Sequence, residues 1–373
     1  MYTLENKLGY FTMRPLTASS ALLPAPSLAR PIYLFGDDLT GACDAAVSFL
    51  LIGHSVRVWF GPRALHSTAE SVQAFNTNSR TLSAEEADFA VSGAAAGLNG
   101  GSNALFFKKI DSAGRGPLAA ELLAAHRVLG TEAILVAPSF PAAGRTVRNG
   151  VLSIKDAVGQ DTQVLLSGLF PPESQSLVAV ITHPAQLAAA RDSGKSIFLC
   201  DSTTQEDLEA VVRAAAELPG LLYAGSAGLA RAIASIDAAP QPGQPLPHSA
   251  RTLVVAGTTH PVTELQLDRL GNGHPFAQVL QVRCEPGDEL RIRNQFRQFD
   301  PEALILTGGD TALMAVSALG AHSSILHGEF APGIPWGTLQ GGAANGRIVI
   351  TKSGGFGTPT TLIDILARLS GQV

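Results

Sequence analysis

From Pro31 onward, short apolar runs alternate with longer stretches in which apolar residues recur every three or four positions. The runs at 32–34, 56–60, 72–75, 104–107, 133–136, 178–181 and 197–199 are rich in Val, Ile, Leu, Ala and Phe, and read as buried strands. Between them, 42–51, 84–96, 118–129 and 206–218 carry Ala, Leu and Glu at helical spacing. Strands separated by helices cannot pair as hairpins, so they form a parallel sheet covered by helices. At 239–247 the alternation stops: four prolines and a glycine make an extended linker. It resumes with strands at 253–256, 303–306 and 348–350 and a helix at 312–319.

The pattern predicts an α/β protein of two three-layer domains with mostly parallel sheets, at 31–238 and 249–373, joined by a Pro-rich linker at 239–248. The active site is expected in the interdomain cleft. A length of 373 residues agrees with two cores rather than one. In residues 1–30, Ala21-Leu22-Leu23 is broken by Pro24 and Pro26, which makes a poor signal-peptide core, so this segment reads as a disordered leader.

Composition narrows the function. Hydrophobic residues make up 46% and charged residues 15%, too apolar for disorder. A net charge of −5 leaves no basic surplus, so no nucleic-acid partner is expected. No apolar run reaches the ~18 residues of a span, so no membrane partner is expected. Cys43, Cys200 and Cys284 make neither a disulfide framework nor a CxxC site, and fit a reducing, cytoplasmic location. The nine histidines include no HExxH or HxH pair, so no metal site is expected, and His260 reads as structural.

The candidate chemistry lies at strand ends. Phe35-Gly36-Asp37-Asp38-Leu39-Thr40-Gly41 joins a strand to a helix. One Asp suffices as a helix cap, and a second buried carboxylate needs a cationic, metal or hydroxyl partner. Asn76-Thr77-Asn78-Ser79-Arg80 ends the strand at 72–75, where Arg80 could grip a carboxylate. Lys108-Lys109-Ile110-Asp111-Ser112-Ala113-Gly114-Arg115-Gly116 follows the strand at 104–107 and suits an anion. Pro138–Arg145 reads as a turn that adds Arg145. In the second half, Gly257-Thr258-Thr259-His260, Thr307-Gly308-Gly309-Asp310-Thr311 and Ser353-Gly354-Gly355-Phe356-Gly357 follow three strands, and glycine amides at such places cradle phosphates. GxxxxGK[ST] and GxGxxG are both absent, which counts against a P-loop or a dinucleotide enzyme. Residues alone reach an enzyme that binds an anionic substrate and a phosphate-bearing ligand.

As a set, in this order over 32–367, these motifs resemble the four-carbon acid sugar kinases, which include threonate and 3-oxo-tetronate kinases. Gly36–Gly41, Asn76–Arg80, Lys108–Ser112, Pro138–Arg145 and Gly225-Ser226-Ala227-Gly228-Leu229 match the sugar-binding half; Gly308–Thr311 and Lys352–Gly357 match the nucleotide half. The chain departs from that pattern at Ala113-Gly114 and at Thr258-Thr259-His260, and looks short between Leu270 and Pro301. The resemblance implies an ATP- and Mg²⁺-dependent kinase of a small sugar acid, with a catalytically silent binding relative as the alternative. It implies catalysis by Asp37, Asp38 and Lys109. Substrate would be held by Asp38, Arg80, Lys108, Lys109, Ile110, Asp111, Ser112, Arg115 and Arg145. ATP would be held by Thr258, Gly308, Gly309, Asp310, Thr311, Gly354, Gly355 and Gly357. A homodimer is compatible with it.

Overall fold

The structure, a computed structural model, describes residues 30–61, 69–98, 103–155, 161–271 and 274–372. Most of the expected leader, 1–29, lies outside them. The first half runs β1 (Ile32–Gly36), α1 (Leu39–Leu50), β2 (Val56–Trp59), β3 (Val72–Asn76), α2 (Ala84–Ala95), β4 (Leu105–Lys109), α3 (Leu118–Leu129) and β5 (Ala133–Ala137). After β5 come three strands, β6 (Arg145–Arg148), β7 (Val151–Lys155) and β8 (Asp161–Leu165), which form a small antiparallel sheet of their own. The half closes with β9 (Val178–Ile181), α4 (Gln186–Asp192), β10 (Ile197–Cys200), α5 (Gln205–Ala215), β11 (Leu221–Gly225) and α6 (Ala227–Asp237).

The second half holds β12 (Thr252–Ala256), α7 (Pro261–Leu270), β13 (Ala277–Gln281), α8 (Asp288–Phe299), β14 (Ala303–Thr307), α9 (Gly309–Ala318), β15 (Ser323–Glu329), β16 (Pro335–Gln340), β17 (Ile348–Lys352) and α10 (Thr361–Leu369). The interval after Leu270, which looked short, carries the β13–α8 unit.

The α/β class and the mostly parallel pairing are as the pattern predicts. What the pattern did not foresee is that both halves share one sheet, ordered β13-β12-β14-β17-β16-β15-β2-β3-β1-β4-β11-β5-β10-β9. The seam is an antiparallel ladder between β15 and β2, with Ser323 opposite Trp59 and Ile325 opposite Arg57. Three antiparallel steps (β17–β16, β16–β15, β15–β2) reverse the strand direction between the two parallel blocks. Six strand steps separate β14 from β1 in that order. At about 20–25° of twist per step the sheet turns through roughly 120–150°, which offsets the reversal and aims both sets of carboxyl ends at one region.

Helix α1 lies at the centre. Its sequence, LTGACDAAVSFL, is mostly small and apolar, and every residue but Leu50 is buried. One continuous core cluster holds Ala42, Val47 and Phe49 of α1 together with Leu229 and Ile233 of the first half and Leu306, Val316 and Leu326 of the second. The Pro-rich segment is fastened to this body: the Gln241 amide donates to the Leu51 carbonyl at 2.5 Å, and the Gln244 amide to that of His327 at 2.9 Å. A tether packed this way is no free hinge.

Candidate active site

Ligands bind outside the carboxyl ends of a parallel block where adjacent strands send their chains opposite ways. In the first half that point lies between β1, which continues to β2, and β4, which continues to β5; in the second it lies between β12, which continues to β13, and β14, which continues to β15. The loops leaving β1, β3 and β4 meet those leaving β12, β14 and β17 around a cleft of about 430 Å³.

On the first side, Asp38 caps α1, accepting the Gly41 amide on Oδ1 at 2.8 Å. The capping role and the cleft-facing role coincide in one residue. Its Oδ2 accepts from Thr40 Oγ1 at 3.0 Å and Arg80 Nη1 at 2.9 Å. Arg80 Nε donates to Asp37 Oδ2 at 2.8 Å, and its Nη2 lies 3.8 Å from Asp111 Oδ1. Burial opposes this guanidinium's charge, but Asp38 and Asp37 hold its pKa above the usual value. Asp111 is gripped by Arg115 through Nε and Nη2 at 2.8 and 2.9 Å. Burial raises its carboxyl, and Arg115 and Arg80 outweigh this and hold it well below the usual range. Lys109 is buried beside Gly41, where an added Cβ would lie 2.9 Å from its Nζ.

Of the expected residues, Asp38, Arg80, Lys109, Asp111, Ser112, Arg115 and Arg145 line the cleft. Asp37, Lys108 and Ile110 do not. Asp37 is buried behind Asp38, where the charges of Lys109, Arg80 and Lys108 overcome desolvation and keep its carboxyl low. Lys108 is fully buried, with Nζ 3.1 Å from Glu121 Oε2 of α3. Its neighbour Lys109 takes the opposite side, as alternation along a strand requires. Ile110 sits in the core beneath α3.

Arg145 differs from the other two guanidinium groups. It opens β6 rather than lying in a turn. It donates to the Ala143 carbonyl, its Nε is buried without a hydrogen-bond partner, and no carboxylate pairs with it among the described residues. Burial lowers its pKa, and the attraction of Asp111 only partly offsets this.

On the second side, Thr258, Gly308, Gly309, Asp310, Thr311, Gly354 and Gly355 line the cleft. Gly357 does not. His260 caps α7, its Nδ1 accepting the Val262 amide at 3.2 Å, and it also lines the cleft. The two sides touch. Ser353 Oγ donates to Thr40 Oγ1 at 3.1 Å, and a Cβ on Gly309 would lie 2.5 Å from Asp38 Oδ2. At Gly355 the nearest atom would be His260 Nε2, at 3.0 Å. If the glycine turns hold a nucleotide and the other wall an acid, as the resemblance implies, Gly355→Val is expected to weaken nucleotide binding alone, whereas Gly309→Val displaces Asp38 and weakens both ligands, each by about tenfold or more. Calorimetry with each ligand separately checks this; equal loss of both in Gly355→Val would refute the assignment of sides.

Sequence reasoning missed Asp44. It lies on α1 one turn beyond Thr40, is 3% exposed, and lines the cleft. Its Oδ1 has no hydrogen-bond partner; Arg231 Nη2 stands 4.0 Å away and bonds Glu329 Oε1 instead, at 3.0 Å. Burial pushes its carboxyl up to about 6 against the pull of Lys109 and Arg231. A lone acid inside an otherwise apolar helix was the available signal. Arg283 and Cys284, also in the cleft wall, carried none.

A sugar-binding N-terminal domain model matches residues 32–233, and a nucleotide-binding C-terminal domain model matches 290–362. The chain is 30% identical to a D-threonate kinase of Bordetella bronchiseptica, over 89% of this chain and 96% of that one. It is 28% identical to a D-threonate kinase of Salmonella typhimurium, over 90% and 97%. A Haemophilus influenzae crystal structure of the DUF1537 family shares the fold, with a TM-score of 0.66 at 18% identity, covering 91% of this chain and 99% of that one. Matched along both halves, and carrying at its cleft the strand-end motifs that the two domain models span, the chain belongs to the four-carbon acid sugar kinase family of phosphotransferases.

Proposed function

We propose that this protein transfers the γ-phosphoryl group of ATP to a hydroxyl of a four-carbon sugar acid, with threonate the first candidate and erythronate and 3-oxo-tetronate the next. The observation that carries this reading is the cleft itself, where a cation-rich acidic cluster on one wall faces three glycine turns on the other. The sugar-acid carboxylate pairs with Arg145, because Arg80 and Arg115 are already committed to Asp37, Asp38 and Asp111. Asp38, which touches Gly309 at the start of α9, orients the attacking hydroxyl and accepts its proton. The hydroxyl oxygen bonds to the γ-phosphorus, the bond to the β-phosphate oxygen breaks, and ADP leaves. Lys109 and the helix N-terminus face the charge that spreads over the transferred group.

Mg²⁺ carried in on the phosphates would neutralise their charge. Asp310, a cleft carboxylate with no side-chain bond or ion pair among the described residues, fits it, since Mg²⁺ with nucleotides is held by few protein ligands. The assignment of 31–238 to the sugar acid and of 249–373 to ATP, with 239–248 between them, belongs to the same proposal.

Coupled ADP release over a panel of threonates, erythronates and their oxo forms tests the reading, and a folded protein with no turnover above background would sink it. Arg145→Leu is expected to raise KM for the sugar acid by about tenfold to a hundredfold, with KM for ATP little changed, as loss of a charged hydrogen bond implies. An unchanged KM for the acid would remove Arg145 from the carboxylate site.

A further inference from the structure

Lys352 ends β17 directly before the glycine loop, and its side chain is completely buried. Its Nζ donates to Thr263 Oγ1 at 3.0 Å and to the Ser353, Gly354 and Phe356 carbonyls at 3.1, 3.4 and 3.4 Å. Two buried side chains of α7 complete the arrangement. Thr263 Oγ1 donates to the Gly354 carbonyl at 2.7 Å, and Gln266 Nε2 to those of Phe356 and Thr358 at 3.1 and 2.8 Å. The carbonyls of this loop are therefore turned inward, onto one ammonium and two α7 side chains.

In a trans peptide the N–H of the next residue points opposite to the carbonyl. The amides of Gly354, Gly355 and Gly357 consequently face away from Lys352, and none of them donates a hydrogen bond among the described residues. Gly354 and Gly355 line the cleft. Lys352 itself has no carboxylate within ion-pair distance among the described residues. A fully buried cation held only by neutral dipoles is costly unless an anion approaches it. The open side of the loop, beyond the free amides, is where that anion would sit.

We propose that Lys352 is a positioning residue for the nucleotide: it turns the amides of the 353–357 loop toward the cleft and supplies, through the loop, the buried counter-charge to the polyphosphate. The proposal rests on the kinase reading and extends it to a residue that does not touch the reacting atoms. Burial lowers the ammonium pKa to about 8, which agrees with a charge still awaiting its partner.

Calorimetry with MgATP, MgADP, AMP and the sugar acid separately, on the wild type, Lys352→Met and Thr263→Val, tests it, with each melt recorded. Lys352→Met is expected to weaken MgATP by about tenfold or more, MgADP less and AMP least, and to flatten the dependence of binding on ionic strength; sugar-acid affinity stays within about twofold. Thr263→Val keeps the charge and loses one anchor of the loop. It is expected to weaken MgATP by less and to keep the wild-type salt dependence. A merely structural lysine would move affinity without moving that salt dependence. Lys352→Met that binds MgATP like the wild type, or loses the three nucleotides equally at unchanged salt dependence, overturns the proposal. If Lys352→Met loses its cooperative melt, Thr263→Val decides: unchanged MgATP affinity overturns the clamp, and selective loss supports it. A wild type that binds MgATP but phosphorylates no sugar acid refutes the acceptor reading alone, whereas one that binds no MgATP overturns both.

Discussion

Asp44→Asn is expected to melt higher than the wild type at neutral pH while losing turnover. The folded carboxyl titrates near 6 and its ordinary value is 3.8, so the folded state holds this proton more tightly than the unfolded chain. The stability tied to it is complete below about pH 4 and is lost as pH rises through about 6. Above that range, keeping Asp44 ionised costs up to about 3 kcal/mol, the equivalent of roughly two pK units. Asparagine removes the charge at nearly the same volume, and Arg231 keeps Glu329 as its partner. Asp44 lines the cleft with one carboxylate oxygen unpartnered, so a substrate hydroxyl bound there is expected to donate to this carboxylate. Losing a hydrogen bond to a charged group corresponds to about tenfold to a hundredfold in kcat/KM for the sugar acid. Two measurements decide the matter. Urea melts across the acid range should show the variant's margin over the wild type growing as pH rises from about 4 to above 6, since the low-titrating Asp37 and Asp111 act equally in both proteins. The wild-type kcat/KM should fall as pH drops below about 6, and that limb should be absent from the variant. A variant that is less stable at neutral pH, or as active as the wild type, would make Asp44 a structural partner of Arg231 instead.

Asp38→Asn is expected to lower kcat by about a hundredfold to ten-thousandfold with the fold intact, the range for removing a positioned acid–base group. Asparagine is as good a helix cap as aspartate, so its carbonyl oxygen can still accept the Gly41 amide and α1 keeps its start. Its amide, however, would meet Thr40 and the Arg80 guanidinium, donor against donor, where Oδ2 accepted from both. Arg80 retains Asp37, so the cluster is weakened rather than dismantled. Single-turnover measurements at saturating ligands isolate the chemical step. Retention of wild-type kcat would show that the proton goes elsewhere, with the cleft-lining Asp44 as the alternative acceptor.

Much of the site was legible because it sits at strand ends, and strand ends are marked in sequence by Gly, Asn and charged residues after an apolar run. The loops after β1, β3, β4, β12, β14 and β17 were all found in this way. The two adjacent aspartates were separable only in part: alternation tells that neighbouring side chains diverge, but not that both would take hold of the same arginine from different sides. Lys108 and Lys109 pose the same problem, and only the packing of Glu121 against Lys108 decides which one leaves the cleft. Asp44 is a lone acid in a largely apolar, buried helix; that marks it as unusual, but pattern alone does not say that it reaches the cleft. The Arg231–Glu329 pair joins residues 98 positions apart, a separation over which local pattern says nothing. The β2–β15 seam was illegible for a related reason: which edges meet is set by how the halves pack, not by the run of residues in either strand.

That seam bears on how the chain is made. β2 borders the first half, and its outer edge has no partner until the strand beginning at Ser323 has been synthesised. For most of translation the first half thus presents an open row of backbone donors and acceptors, flanked by Val58 and Trp59, of the kind that invites pairing with other chains. Contacts so distant in sequence also close late in folding. A fragment ending in the Pro-rich segment would keep the first wall of the cleft yet carry this edge permanently, and is expected to self-associate rather than stay monomeric.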